Sequence, residues 1–115
     1  MCKWVAIPSL LCVPLASEQA TWVQIVVCEV MGVRLVALCG DQRGDLKTAL
    51  ARQMAMYVCH LTLAMSIGEI AVAFGRDRST VRHAIRRVEA ARQDAEFDRT
   101  LGELQQSVRA GGGHV

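Results

Sequence analysis

No Gly-x-x-x-x-Gly-Lys-Ser/Thr loop occurs in the chain, so nothing in it cradles nucleotide phosphates as a nucleotide-hydrolysing module does. No Cys-x-x-Cys pair occurs either. The cysteines (Cys2, Cys12, Cys28, Cys39, Cys59) are widely spaced, odd in number and without a His at zinc-finger spacing, so free thiols in a reducing cytosol are expected and no metal. Cys59-His60 is a neighbour pair in mid-helix with no carboxylate or second base at useful spacing, which excludes nucleophilic catalysis; the chain reads as no enzyme, with no cofactor. Prolines number only two, and with a hydrophobic fraction of 52% the composition is that of a globular helical protein, not a disordered one. No internal repeat is visible, and Gly111-Gly112-Gly113 is the one low-complexity stretch. Apolar runs are short. Lys3 followed by Trp4 to Ala16 has the outline of a signal peptide, yet Pro8 and Pro14 interrupt it, it is too short to span a bilayer, and Leu11 before Cys12 makes a poor lipoprotein site.

What is present is one domain's length of chain, 115 residues, with an uneven charge. Residues 1–50 carry four basic and four acidic side chains, whereas Arg76 to Arg92 carry six basic against two acidic. The formal net charge of +2 therefore hides a basic stripe, which is what needs explaining. Residues 1–16 are expected to be an apolar leader that packs on the domain or has no ordered structure, residues 17–108 a helical domain, and residues 109–115 a disordered tail.

Four helices and a tail helix can be read. The first begins near Ser17, with Trp22, Ile25, Val26 and Val30 on its inner face, and stops at Gly32. Val33, Leu35 and Leu38 are expected beneath the connection that follows. Gly40 to Lys47 is polar and ends at a candidate N-cap, Asp45. A long helix should then run from Leu46 to Ala64 with Leu50, Met54, Tyr57, Val58 and Leu61 inward, and with Arg52 and Gln53 near its exposed N-terminal end. Met54, Met56 and Met65 read as core filling. Ser66 and Glu69 form a capping box that restarts a helix, with Ile67, Ile70, Ala71 and Phe74 buried and Gly75 as its end. Phe97, Leu101, Leu104 and Val108 belong to a short terminal helix.

The helix from Arg78 to Ala91 carries the functional argument, because its two faces separate cleanly. Val81, Ala84, Ile85 and Val88 make one apolar stripe; Ser79, Arg82, His83 and Arg86 stand at the same spacing on another face. Burying the first set against the Ser66 helix presents the second as donors at a pitch that suits a groove lined with phosphates and base edges. With Arg78, Arg82, Arg86 and Arg87 beside Ser79 and Thr80, and only Glu89 to neutralise them, the stripe repels itself unless a polyanion meets it. Arg76-Asp77 is a turn of the length that helix-turn-helix motifs use. The expected architecture is all-α, a small helical bundle with a helix-turn-helix, and the expected partner is double-stranded DNA, with no membrane.

Three stretches also resemble a known family: Arg52-Gln53-Met54-Ala55-Met56-Tyr57, Ser66-Ile67-Gly68-Glu69-Ile70, and Phe74-Gly75-Arg76-Asp77-Arg78-Ser79-Thr80-Val81-Arg82-His83-Ala84 are similar to the C-terminal DNA-binding domain of the bacterial chromosomal replication initiator DnaA. The likeness covers roughly Trp22 to Val108. It implies that Arg52, Gln53 and the preceding loop touch DNA backbone and minor groove, and that Ser79, Thr80 and His83 read the major groove. Together with the basic stripe, the expected DNA-binding set is Arg43, Lys47, Arg52, Gln53, Arg76, Arg78, Ser79, Thr80, Arg82, His83 and Arg86, in a cytoplasmic, nucleoid-associated protein that takes no nucleotide. It would act at replication-initiator-like sites, regulating replication initiation or transcription.

The chain departs from the family pattern in three ways. Arg78 stands where the signature usually has His, the turn before it is one residue shorter, and Gly40 to Lys47 offers only Arg43 and Lys47 against Asp41 and Asp45. The last two departures favour an alternative, an interaction module that keeps the fold without specific DNA binding and docks a protein through Trp4 to Val13 or exposed thiols.

Overall fold

A computed structural model describes residues 16–40 and 45–112; residues 1–15 and 113–115, and Arg43 among the expected contacts, lie outside them. The elements are α1 (Ala16–Met31), α2 (Leu35–Leu38), α3 (Leu46–Leu61), α4 (Ile67–Phe74), α5 (Arg78–Ala91) and α6 (Ala95–Gly112). No strand occurs among the described residues. α3 lies at the centre, packed against α1 on one side and α5 on the other, with α4 and α6 closing the bundle. Val23, Val27, Tyr57, Val58, Val81 and Leu104 are fully buried where these helices meet, and Met54, Met56 and Met65 fill the core as their composition suggested.

Local chemistry sets most of the boundaries. Asp45 is extended and its carboxylate accepts the Thr48 N–H at 2.8 Å, starting α3. The hydrogen bond to Thr48 holds the Asp45 carboxyl below its ordinary range. α1 stops at Gly32, whose φ of +69° suits a residue without a Cβ. α3 ends sooner than the pattern to Ala64 indicates. The Met65 N–H reaches back six residues to the Cys59 carbonyl at 3.1 Å, which puts Ala64 in the left-handed region at φ 57°. Glycine usually holds that position because alanine pays for its Cβ there. Ala64→Gly is therefore expected to raise stability by about 0.5–1 kcal/mol; an unchanged or lower urea midpoint would show that the strain is absent.

The inner face of α1 differs from the expectation. Ala20, Val23, Val26 and Val27 are buried, whereas Trp22, Ile25 and Val30 are 37%, 40% and 45% exposed. α1 is apolar on nearly every side, so hydrophobic spacing alone admits more than one inner face, and the small Ala20 side is the one that packs closely. Trp22 sits at the rim, where its indole N–H donates to the Val108 carbonyl at 3.3 Å. A Cβ at Gly111 would lie 1.9 Å from the Trp22 ring, so that glycine makes room for the indole. α6 runs on to Gly112, past the Val108 boundary and through two of the tail glycines. Of the residues expected beneath the next connection, Leu38 is buried, Val33 half-buried and Leu35 exposed, and the connection itself holds the short α2.

A polar relay ties α3, α5 and α6 together. The Tyr57 hydroxyl donates to Glu89 Oε1 at 2.5 Å, Arg92 Nη1 donates back to the Tyr57 oxygen at 3.0 Å, and Arg92 Nε donates to Asp98 Oδ1 at 2.6 Å. Arg92 also lies over the Tyr57 ring, 5.8 Å from its centroid. Burial and then the Glu89 hydrogen bond raise the Tyr57 phenol above its ordinary value, and burial pushes the Cys59 thiol from 9.0 up to about 12. Both groups hold their protons more tightly folded than unfolded. The stability that Cys59 supplies is full below pH 9.0 and drains as pH rises towards 12, at ~1.4 kcal/mol per pH unit within that window, and the loss from Tyr57 starts from its higher ordinary value of 10.0. Urea midpoints at about pH 8 and about pH 10.5 should show the fall, with a shallower one in Cys59→Ala. Equal slopes in the two proteins would remove the thiol from the explanation.

Candidate nucleic-acid interface

The elbow between α4 and α5 is built by three devices. Ser66 Oγ accepts the Glu69 N–H at 3.1 Å while Glu69 Oε1 accepts the Ser66 N–H at 2.9 Å, so the capping box closes both ways. Gly75 ends α4 at φ +65°. Asp77 then starts α5 in an extended conformation. Val81 is fully buried in the angle, and the buried, small Ala71 lets the helices approach.

Burial of Val81, Ala84 and Val88, with Ile85 half-buried, fixes the rotation of α5. Ser79, Thr80, Arg82, His83, Arg86 and Arg87 are consequently all exposed. The ion pair found among the described residues is Arg92–Asp98, so none of the arginines on this outer face is neutralised by a carboxylate there. Glu89, which the sequence offered as their counter-charge, is instead held by Tyr57. The Asp77 side chain makes no capping bond, which leaves the first-turn N–H groups of α5 without that local partner.

The other expected contacts are distributed differently. Arg78 is exposed but lies back across α4: a Cβ on Gly68 would stand 3.0 Å from Arg78 Nη2, so Gly68 gives the guanidinium its place. Arg76 is half-buried, and its Nη2 donates to the Gly40 carbonyl at 2.7 Å. Lys47 is exposed and Gln53 half-buried.

Arg52 corrects the reading of an exposed helix start, since only 8% of it reaches solvent. Its Nε donates to the Leu38 carbonyl at 2.9 Å and its Nη2 to the Ala37 carbonyl at 3.3 Å. Burial first, and the Arg76 charge second, lower the pKa of its guanidinium. Arg52 and Arg76 thus grip carbonyls at and just beyond the end of α2, those of Ala37 and Leu38 and that of Gly40, where the last peptide dipoles favour cations. Sequence reasoning left out Arg87 as a site residue and the Tyr57–Glu89–Arg92–Asp98 relay. Arg87 was visible as part of the stripe, whereas the relay joins residues far apart in the chain.

A helix that buries one stripe against its partner across a short turn, and holds a row of unneutralised arginines outward, defines a helix-turn-helix domain. Residues 21–88 match the family model described as bacterial dnaA protein helix-turn-helix, and the chain belongs to that family. It is 38% identical over 78 residues to the chromosomal replication initiator protein DnaA of Aquifex aeolicus, covering 66% of this chain and 19% of that protein. It is 39% identical over 71 residues to the DnaA of Bordetella pertussis, covering 60% and 15%. Two solved structures agree in fold. A DNA replication initiation factor superposes with a TM-score of 0.73 at 32% identity, over 81% of this chain and 29% of that one. A replication initiator DnaA bound to AMPPCP and single-stranded DNA gives 0.71 at 31%, over 80% and 28%. The chain thus spans less than a third of each, and the matched part is the DNA-binding helix-turn-helix of a replication initiator. Among the described residues, no helix is long and apolar enough to cross a membrane.

Proposed function

We propose that the protein binds double-stranded DNA sequence-specifically at replication-initiator-like sites, with α5 in the major groove, and that it regulates replication initiation by occupying them. The observation that carries this reading is the outer row of α5, exposed and unpaired with any carboxylate among the described residues, while Glu89 is tied to the Tyr57 hydroxyl. Ser79, Thr80, Arg82 and His83 face base edges; Arg86 and Arg87, further along the helix, meet phosphates. Arg78, drawn back over Gly68, suits the backbone better than a base. Lys47 and Gln53, on α3, flank the neighbouring strand, and Arg43 is assigned to the same contact from the sequence alone. Arg52 and Arg76 act through the carbonyls that they hold at and just beyond the end of α2, shaping the approach to α3. No catalytic step and no bound nucleotide enters this reading.

Fluorescence anisotropy on a duplex carrying the family's initiator box and on a scrambled duplex, each at several salt concentrations, tests it. Tighter binding to the box with a steep salt slope on both is expected. Equal binding would overturn the site preference, and no binding to either would favour an interaction module that keeps only the fold.

A further inference from the structure

Cys28, in the last turns of α1, and Cys39, just past α2, both lie near the connection between these helices. The Cys39 thiol donates to Gln24 Oε1 at 3.4 Å, and Gln24 and Cys28 stand four residues apart in one row of α1. Cys39 therefore lies beside the row that Cys28 continues, within electrostatic reach of it. Cys39 is exposed, Cys28 half-buried and Cys59 buried. Cys39 also borders an open recess of about 300 Å³ whose wall includes Gln24, Arg52 and Arg76. Arg52 holds the carbonyl of Leu38, the residue before Cys39, so two guanidinium groups flank the thiol's approach. An accessible thiol bordering a recess with two guanidinium groups, and a second thiol one helical turn from its hydrogen-bond partner Gln24, is the layout of a peroxide-reactive cysteine and its resolving partner.

We propose that Cys39 and Cys28 are a redox modification site, closing an intrachain disulfide when the protein meets hydrogen peroxide. The Cys39 thiolate attacks one peroxide oxygen and the O–O bond breaks. The departing hydroxide takes up a proton as water, leaving a sulfenic acid on Cys39. The Cys28 sulfur then attacks the Cys39 sulfur, an S–S bond replaces the S–O bond, and the hydroxide released leaves as water with the Cys28 proton. Two thiols and one peroxide become one disulfide and two waters, with two electrons passing from sulfur to oxygen. Burial, and then the neighbouring Cys39 charge, raise the Cys28 thiol, so Cys28 is the poorer first nucleophile of the two and acts only on a Cys39 already oxidised. The bond ties the end of α2, with the carbonyls that Arg52 and Arg76 grip, to α1. A dithiol reverses it.

The test exposes the reduced full chain to hydrogen peroxide, quenches with catalase and alkylates, then digests with trypsin, which cuts at Arg34 between the two cysteines. Fragment spectra should show the Cys28 and Cys39 peptides joined with the loss of two hydrogen atoms, and the link should vanish in Cys28→Ser and persist in Cys12→Ser. Dimedone, which traps sulfenic acids, should label Cys39 severalfold more in Cys28→Ser than in the unaltered protein. A wild-type link from Cys39 to Cys12, a link surviving in Cys28→Ser, or equal dimedone labelling in the two proteins would overturn the assignment. The wild-type fragment spectra decide the matter even where Cys28→Ser folds poorly.

Discussion

Arg86→Ala is expected to weaken binding to box and scrambled duplexes alike, by about tenfold, and to lower the salt slope by about one. Arg82→Ala should instead keep its hold on scrambled DNA and lose about 1–3 kcal/mol on the box alone, so that most of the preference disappears. The two residues share one exposed face of α5 a turn apart, and neither makes an ion pair within the described residues. Their difference in role comes from position along the helix. Arg82 lies in the second turn, the part of a recognition helix that reaches base edges, while Arg86 lies where the helix passes back towards the phosphates. Because both side chains are solvent-exposed, the variants should melt like the parent, so that any loss reports on binding and not on folding. Anisotropy on both duplexes across a salt series reads the result. Equal losses on the two duplexes in both variants would remove the distinction between reader and anchor.

Arg52→Ala is expected to cost about 2–4 kcal/mol of folding stability, a large share of the total for a domain of this size. The substitution strips hydrogen bonds from the Ala37 and Leu38 carbonyls and empties a buried space beside α2. Arg52→Lys retains a charge but not the planar fork that reaches two carbonyls, and should recover less than half of the loss. Urea denaturation of the three proteins tests this. Should Arg52→Ala keep its midpoint and lose only duplex affinity, Arg52 would be a DNA contact in the manner that the family resemblance implies, and its hold on α2 would be dispensable.

The helix-turn-helix was legible in the sequence because its signals are local. Ser66 and Glu69, Gly75, and the separate stripes through Val81 and Arg82 each lie within a few residues of what they determine, and the limits of α5 came out as read. Three features were less accessible. The inner face of α1 was misjudged because Trp22, Ile25 and Val30 are as apolar as the residues that replaced them in the core. α2 has four residues, too few for a periodic pattern. Arg52 follows a polar loop and reads as solvated, yet its partners are main-chain carbonyls, which side-chain spacing does not reveal. The engagement of Glu89 belongs with these: Tyr57 is 32 residues away, and no local rule connects them.

On the proposed role, the hold of Tyr57 on Glu89 also bears on how the domain first meets a duplex. An acid free to pair with the outer arginines near the end of α5 would partly offset them and shrink the separation between the domain's centre of charge and its centre of mass. With that acid tied to the Tyr57 hydroxyl and paired with none of the outer arginines among the described residues, more of the separation is kept, and a nearby polyanion exerts a torque on the whole domain. At ionic strengths where the screening length is about 10 Å, this torque acts before contact and rotates the outer face of α5 towards the phosphates. Collisions then arrive already aligned, so the carboxylate that braces the bundle also shortens the search for a productive orientation.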